Sequence, residues 1–463
     1  MPVQEVCIKC RLLFLCLILK NLKFCDILIK IKNTLNQSRE AGKENNMTDN
    51  TYGKVLASDE LASFSRVILA LQHLIAMFGA TVLVPILTGF DTSVAIFCAG
   101  LGTLIFHFVT KGKVPVFLGS SFAFIPVILA VSESYGGDLA YAQGGIIVAG
   151  LIYCLFSLVV SRIGIRKIQS LLPAHVIGPM IIVIGMNLIP TAFSMAQSNF
   201  ILAGVTLATA LFIRFKTKGF VGQLSIIIAV FVGYIFSIVM KEVDFSIIRD
   251  ASLISAPSFR LPKFDFGAIA MIAPVVLAVF MEHLGDITTN GQVVGKNFIE
   301  DPGLHRTLLG DGLATMAAGF LGGPANTTYG ENTGVLAITK NYDPSILRLA
   351  AIFAIILSFV GKIGGVLSSI PTAVMGGISL MLFTMIALVG TQTIKNSKVK
   401  FNFKNVLVMA TILILGLGSD YLSKLLGFTI GVRITDTIVI SGLSFAALVG
   451  IVLNQILSIR IKK

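Results

Sequence analysis

From residue 60 onward the chain repeats one unit: an apolar stretch of roughly 18–25 residues, then a short polar turn. Each stretch is long enough to cross a hydrocarbon core about 30 Å thick. About fourteen such stretches follow one another. Only 13% of the residues are charged, and the mean hydropathy is +0.90. A soluble domain carries about 25% charged residues. The expected fold is therefore an all-α polytopic membrane protein. A transmembrane β-barrel would show alternating segments of about ten residues instead.

The net charge of +13 would suit a nucleic-acid binder, but its distribution does not. Bases gather in alternate loops: Lys111 and Lys113; Arg162, Arg166 and Lys167; Arg214, Lys216 and Lys218; Lys395, Lys398, Lys400 and Lys404. The short loops between them hold Asp91, or Glu133 and Asp138, and no base. This asymmetry turns the basic loops toward the cytoplasm. It places both termini there and requires an even number of spans. Membrane lipid is the expected surroundings, and no nucleic-acid partner is expected.

Four of the six cysteines fall early, at Cys7, Cys10, Cys16 and Cys25. Cys7-x-x-Cys10 has no second pair at ligand spacing, so neither a metal nor a cofactor is expected. Cys98 and Cys154 lie inside apolar stretches and read as packing residues.

Residues 1–59 form an N-terminal extension. Within it, 1–46 is rich in Lys, Ile, Leu, Cys and Asn, with charges breaking every apolar run. Leu12 to Leu19 is too short to span, and no small-residue cleavage site follows it. Met47 is the expected true start, with 1–46 as upstream sequence. A membrane-surface amphipathic segment is the rival reading.

Two sets of seven stretches are expected, 60–241 and 266–463, separated by an extracellular loop at 242–265 that contains Pro257 and Pro262. The eleventh is expected as one continuous stretch over 346–369. The third and tenth are short and interrupted by glycine, at Phe117-Leu118-Gly119-Ser120-Ser121-Phe122 and Tyr329-Gly330-Glu331. The first and eighth echo each other in Gln72-His73 and Glu282-His283. An odd repeat of seven spans inverts its topology in the second copy. Short, interrupted spans at matching positions then point to a midplane binding site.

Ionisable groups at membrane depth are costly and usually line a substrate or ion path. Glu331 sits beside Gly330, where the backbone can approach a ligand closely. A half-helix starting there aims free N–H groups and its positive dipole end at the ligand. Backbone donors beside a carboxylate acceptor suit a planar cyclic imide or amide. A helix-capping glutamate is the alternative. Glu282 and Asp286 are four apart and share a helix face. Two like charges on one buried face disfavour double ionisation, which offers a transported proton a seat. An exposed helix end is the alternative for Asp286. His283 points about 100° away from Glu282 and is either a proton relay or a packed histidine. Asp311 orders the ninth span, bonds structurally, or binds a coupling cation. Phe122 follows a small-residue turn in the third stretch, where a ring can stack on a flat ligand.

With these residues in view, the chain resembles the nucleobase–ascorbate transporter family, the nucleobase:cation symporters of the second type. Glu331-Asn332-Thr333-Gly334-Val335-Leu336-Ala337-Ile338-Thr339-Lys340 is similar to that family's signature. So are Leu71 through Thr81, Gly119-Ser120-Ser121-Phe122-Ala123-Phe124, and Asp301-Pro302-Gly303-Leu304-His305-Arg306. The resemblance covers about residues 60–460. It implies fourteen spans in a seven-plus-seven inverted repeat, with spans one to four and eight to eleven as a core and the others as a gate. It implies that Glu282 and Glu331 hold the polar edge of a pyrimidine, with the Gly330 N–H on a carbonyl. Phe122 would pack on the ring and Ala80 would line the pocket. Glu331 where purine carriers usually show Gln resembles the uracil branch. Asp286 and Asp311 depart from that branch, which has His and Asn there.

The expected function is proton-coupled uracil uptake across the cytoplasmic membrane by alternating access. The candidate proton-coupling residues are Glu282, Asp286, His283 and Asp311. A purine or xanthine permease on the same scaffold is the nearest alternative. A membrane-embedded enzyme would want an HExxH or Cys/His set, which the spans lack, and an anion exchanger would want a basic site. The expected partners are uracil, protons and lipid, with a homodimer as a further option.

Overall fold

The computed structural model describes residues 59–163, 173–427, 430–433, 439–440 and 442–460. The expectations for residues 1–46 and for Met47 lie outside the described residues. The chain divides into two units, Met1–Arg66 and Val67–Lys463; the side-chain packing below belongs to the second.

Helix α1 (Asp59–Thr88) sets the pattern for the rest. Its buried positions Ala70, Leu74, Met77, Ala80 and Val84 recur every three or four residues, the spacing of one helix face. There follow α2 (Thr92–Val109), strand β1 (Leu118–Ser120), a 3-10 turn (Phe122–Phe124), and helices α3 (Ile125–Ser134), α4 (Ala140–Ile163), α5 (Ala174–Ala196), α6 (Phe200–Lys216) and α7 (Ser225–Val239). Short helix α8 (Phe245–Asp250) lies in the connection to α9 (Phe266–Ile272) and α10 (Val276–Val294). The chain continues through α11 (Leu304–Leu321), strand β2 (Asn326–Thr328), α12 (Gly330–Thr339), α13 (Pro344–Ser358), α14 (Gly361–Ser368), α15 (Thr372–Asn396), α16 (Phe403–Leu426) and α17 (Gly442–Arg460).

Among the described residues, six helices are long and apolar enough to cross a membrane, or seven if the bent α13–α14 pair is one span. Four shorter apolar helices accompany them, including Phe122–Ser134. The fold is thus predominantly helical and polytopic.

The helices pack in two sets. One contains α2, α4, α9, α10, α11 and α13; the other contains α5, α6, α7, α15, α16 and α17. Small residues let backbones approach within each set. A Cβ on Gly150 of α4 would lie 2.7 Å from the Gly312 carbonyl, and a Cβ on Gly312 would lie 2.8 Å from the Gly150 carbonyl. The α4–α11 contact therefore closes at this pair.

The small-residue turn expected at 119–121 is instead part of a strand. β1 pairs antiparallel with β2 in the register Leu118↔Thr328, Gly119↔Thr327 and Ser120↔Asn326. Two further bonds extend the ladder, from the Tyr329 N–H to the Phe117 carbonyl (3.0 Å) and from the Ser121 N–H to the Ala325 carbonyl (2.8 Å). Non-helical backbone inside an apolar fold needs such partners. The two short spans supply them to each other.

The eleventh stretch is not continuous. It bends by 80° between α13 and α14. The loop after α8 fills the break: the Ser255 N–H donates to the Phe359 carbonyl (3.0 Å) and the Gly361 N–H to the Leu253 carbonyl (3.1 Å). The Lys362 ammonium donates to the carbonyls of Ile248 (2.7 Å) and Arg249 (2.9 Å) at the end of α8. A Cβ on Gly361 would lie 2.5 Å from the Ser252 carbonyl, so only glycine permits this approach.

Candidate substrate site

Because β1 and β2 run antiparallel, the helices that follow them start at the crossing and leave in opposite directions. Neither start is capped by the residue before it: Ser121, before Phe122, and Tyr329, before Gly330, are extended residues whose side chains cap nothing. At the start of α12 the Glu331 carboxylate accepts from its own N–H, as a helix-capping glutamate would. N–H groups of a helix start without such a partner are left for a ligand or water. Gly330 is exposed and Glu331 half-buried, within a chain stretch that is otherwise buried from Gly322 to Tyr329.

Tyr329 locks the crossing. Its hydroxyl donates to the Ser120 carbonyl at 2.9 Å. Its ring covers Gly119, where a Cβ would lie 2.5 Å from two ring carbons. Gly119 is needed for this ring contact rather than for a turn. Ala80 is 0% exposed and packs in one apolar cluster with Met77, Phe117 and Tyr329, against which half-buried Phe122 rests.

Helix α10 brings the other carboxylates to the same place. Glu282 and Asp286 are both half-buried, and Gly285 between them is exposed. Asp286 lies in mid-helix, which removes the reading of an exposed helix end. The Thr328 hydroxyl donates to its Oδ2 at 3.0 Å. A Cβ on Gly330 would stand 3.8 Å from its Oδ1. Asp286 therefore borders the start of α12. Glu282 lies within electrostatic reach of Asp311 and Glu331, and Asp286 within reach of Glu282, Glu331 and Asp311.

His283 faces the other way. It is buried, and its Nε2 lies 3.0 Å from the Thr307 hydroxyl. Its Nδ1 approaches Oδ2 of Asp311 at 3.2 Å, both side chains being 0% exposed. Of the eight singled-out residues, Ala80, Phe122, Asp286, Gly330 and Glu331 gather around the crossing, His283 and Asp311 form a buried pair, and Glu282 lies within electrostatic reach of both Asp311 and Glu331.

Other residues were not singled out from the sequence. The Asn332 amide donates to both Nδ1 and the carbonyl of His73, each at 3.1 Å, tying α12 to α1. The Asn290 amide donates to the Thr333 hydroxyl (3.1 Å) and the Pro115 carbonyl (2.9 Å), tying α10 to both crossing segments. The signal for Asn332 was its place beside Glu331. Nothing local marks Asn290, Thr328 or Thr307.

The cluster is acceptor-rich, with exposed backbone donors beside it. It suits a small neutral ligand that offers N–H groups on one edge and carbonyls on another, and it disfavours anions. A model of the Permease family matches residues 64–425. The uracil permease of Bacillus caldolyticus is 41% identical over 405 residues, covering 84% of this chain and 91% of its own length. The uracil permease of Bacillus subtilis is 39% identical over 414 residues, covering 85% and 93%. The transmembrane domain of the cyanobacterial bicarbonate transporter BicA superposes with a TM-score of 0.58 at 17% identity, covering 80% of this chain and 98% of that one. That likeness speaks to the fold alone. The chain belongs to the permease family of nucleobase–ascorbate transporters.

Proposed function

We propose that this protein imports uracil across the cytoplasmic membrane, driven by protons, through alternating access. One observation carries the reading. Three half-buried acids, Glu282, Asp286 and Glu331, gather near the start of α12 at a crossing of two short spans. Glu282 and Glu331 accept the ring N–H groups. The Gly330 N–H donates to a ring carbonyl, Phe122 packs on the ring face, and Ala80 backs the pocket wall. The relatives' uracil specificity supports the same ligand.

In this reading fourteen spans form two inverted sets of seven, 60–241 and 266–463, joined by an extracellular loop at 242–265. The set containing α2, α4 and α10 carries the substrate, and the set containing α5, α15 and α16 acts as the gate. Both termini are cytoplasmic. Alternating access exposes the crossing to either side in turn.

Uptake of radiolabelled uracil by proteoliposomes tests this, with and without an inward proton gradient, against excess xanthine, uric acid, thymine and sulfate. Gradient-stimulated uptake that resists xanthine and sulfate is expected. Competition by xanthine stronger than by unlabelled uracil would favour a purine carrier and overturn the reading.

A further inference from the structure

Glu282, Asp286 and Asn290 stand four residues apart on α10 and so share one helix face. Asn290 lies one turn beyond Asp286 and is 0% exposed. Its Nδ2 donates to the Pro115 carbonyl at 2.9 Å, in the segment that leads into β1. The same nitrogen donates to the Thr333 hydroxyl at 3.1 Å, in the first turn of α12. A carbonyl oxygen can only accept, so the atom facing Pro115 is the amide nitrogen and the amide has one orientation. Both of its hydrogens are then used. Its Oδ1 is buried and, among the described residues, has no hydrogen-bond partner. The two donated bonds alone give the amide its polar anchorage.

The two bonds hold two different spacings. Toward β1, α10 is also seated by shape, since Ile287 packs in one apolar cluster with Val116 and Leu118. Toward α12, the Asn290–Thr333 bond is the one hydrogen bond between the two helices among the described residues. One turn away, Asp286 bonds Thr328 at the end of β2 and turns its other oxygen toward exposed Gly330, where a Cβ would stand 3.8 Å from it. Asp286 on one wall and Gly330 on the other therefore keep their separation through the length of one asparagine side chain. A planar ring held between the walls meets the width which that side chain sets.

We infer that Asn290 is a positioning residue that sets the gap between α10 and the start of α12, and with it the size of nucleobase ring the site accepts. The inference rests on the uracil reading proposed above. With the bond to Thr333 made, the gap fits a pyrimidine ring without a substituent on C5. Without that bond, α12 settles away from α10. Uracil then binds less well, because the walls are no longer preorganised for it. A ring with one more methyl gains room. Asn290 acts through Thr333 and Pro115 rather than on the ligand.

The test uses the purified full chain. Three quantities are read: uracil affinity by titration calorimetry, the thymine concentration that displaces half of bound radiolabelled uracil, and the melting temperature. The proteins are wild type, Asn290→Ala, Thr333→Val, Thr333→Ser and the double variant Asn290→Ala/Thr333→Val. Thr333→Val removes the acceptor, keeps the shape and leaves the bond to Pro115, so it should fold. Asn290→Ala and Thr333→Val are expected to weaken uracil binding and to shrink the disadvantage of thymine against uracil roughly tenfold, the discrimination one methyl-sized group carries. Thr333→Ser keeps the hydroxyl and should match wild type in both. The double variant should shift the ratio no further than the worse single one, because both remove the same bond. A purely structural role would lower the melting temperature and leave the uracil-to-thymine ratio unchanged, and that result overturns the inference. An unchanged ratio in Thr333→Val does so even if Asn290→Ala does not fold. Additive shifts in the double variant would show that Thr333 meets the ligand by itself, and would also overturn it. Wild-type protein that binds no uracil would instead overturn the uracil reading, and the inference with it.

Discussion

The Thr328 hydroxyl donates to Oδ2 of Asp286 at 3.0 Å, joining the end of β2 to the middle of α10. The bond holds one oxygen of Asp286 and leaves the other beside Gly330. We propose from this position that Asp286 acts with the substrate acceptors, where the sequence placed it among the proton-coupling candidates. Asp286→Asn should weaken uracil binding by about 1.5–3 kcal/mol, the range for a lost charged acceptor. The pH dependence of uptake should stay that of wild type. Titration calorimetry and gradient-driven uptake at two external pH values check both halves. Normal affinity with altered pH dependence would return Asp286 to the coupling role.

Glu331 opens α12 next to Gly330, and its carboxylate accepts from its own N–H. Glu331→Gln keeps the size and removes the charge. The expected loss is again about 1.5–3 kcal/mol of uracil affinity, with the protein still folded. An unchanged dissociation constant by calorimetry would remove Glu331 from the site.

Gly119 lies under the Tyr329 ring, so Gly119→Ala forces a methyl into space held by two ring carbons. Overpacking of this kind costs about 1–3 kcal/mol. The ring would have to leave Gly119, and the bond from its hydroxyl to Ser120 would break. A lower melting temperature and a smaller uracil-induced thermal shift are expected. Tyr329→Phe keeps the ring and should keep most of the melting temperature. A Gly119→Ala protein that melts and binds like wild type would show that the crossing tolerates a wider spacing.

Lys362 straps two connections together, since its ammonium bonds the carbonyls of Ile248 and Arg249 at the end of α8. Cations suit a helix C-terminus. Lys362→Met keeps the stem and removes the charge. Faster hydrogen exchange over 245–255 is expected, with uracil affinity unchanged because the strap lies away from the acids. Unchanged exchange there would mean that the backbone bonds from Ser255 and Gly361 hold the loop by themselves.

The apolar stretches made a polytopic helical membrane protein legible from the chain alone, because a lipid core demands internally bonded helices of a set length. The acids at 282 and 331 were legible for a related reason: an ionisable group inside an apolar run has few uses other than function. The crossing strands were not legible. Three residues are too few for any periodicity to register, and β1 and β2 are each meaningful only because the other lies alongside. The same limit hid the break at Phe359, which depends on loop groups about a hundred residues away in sequence, as roughly as such spans are counted. Sequence grouped His283 and Asp311 with Glu282 and Asp286 as proton-coupling candidates, since spacing on one helix cannot say what stands on the next. The packing of α10 and α11 set His283 against Thr307 and Asp311, and Asp286 against Thr328 and the start of α12.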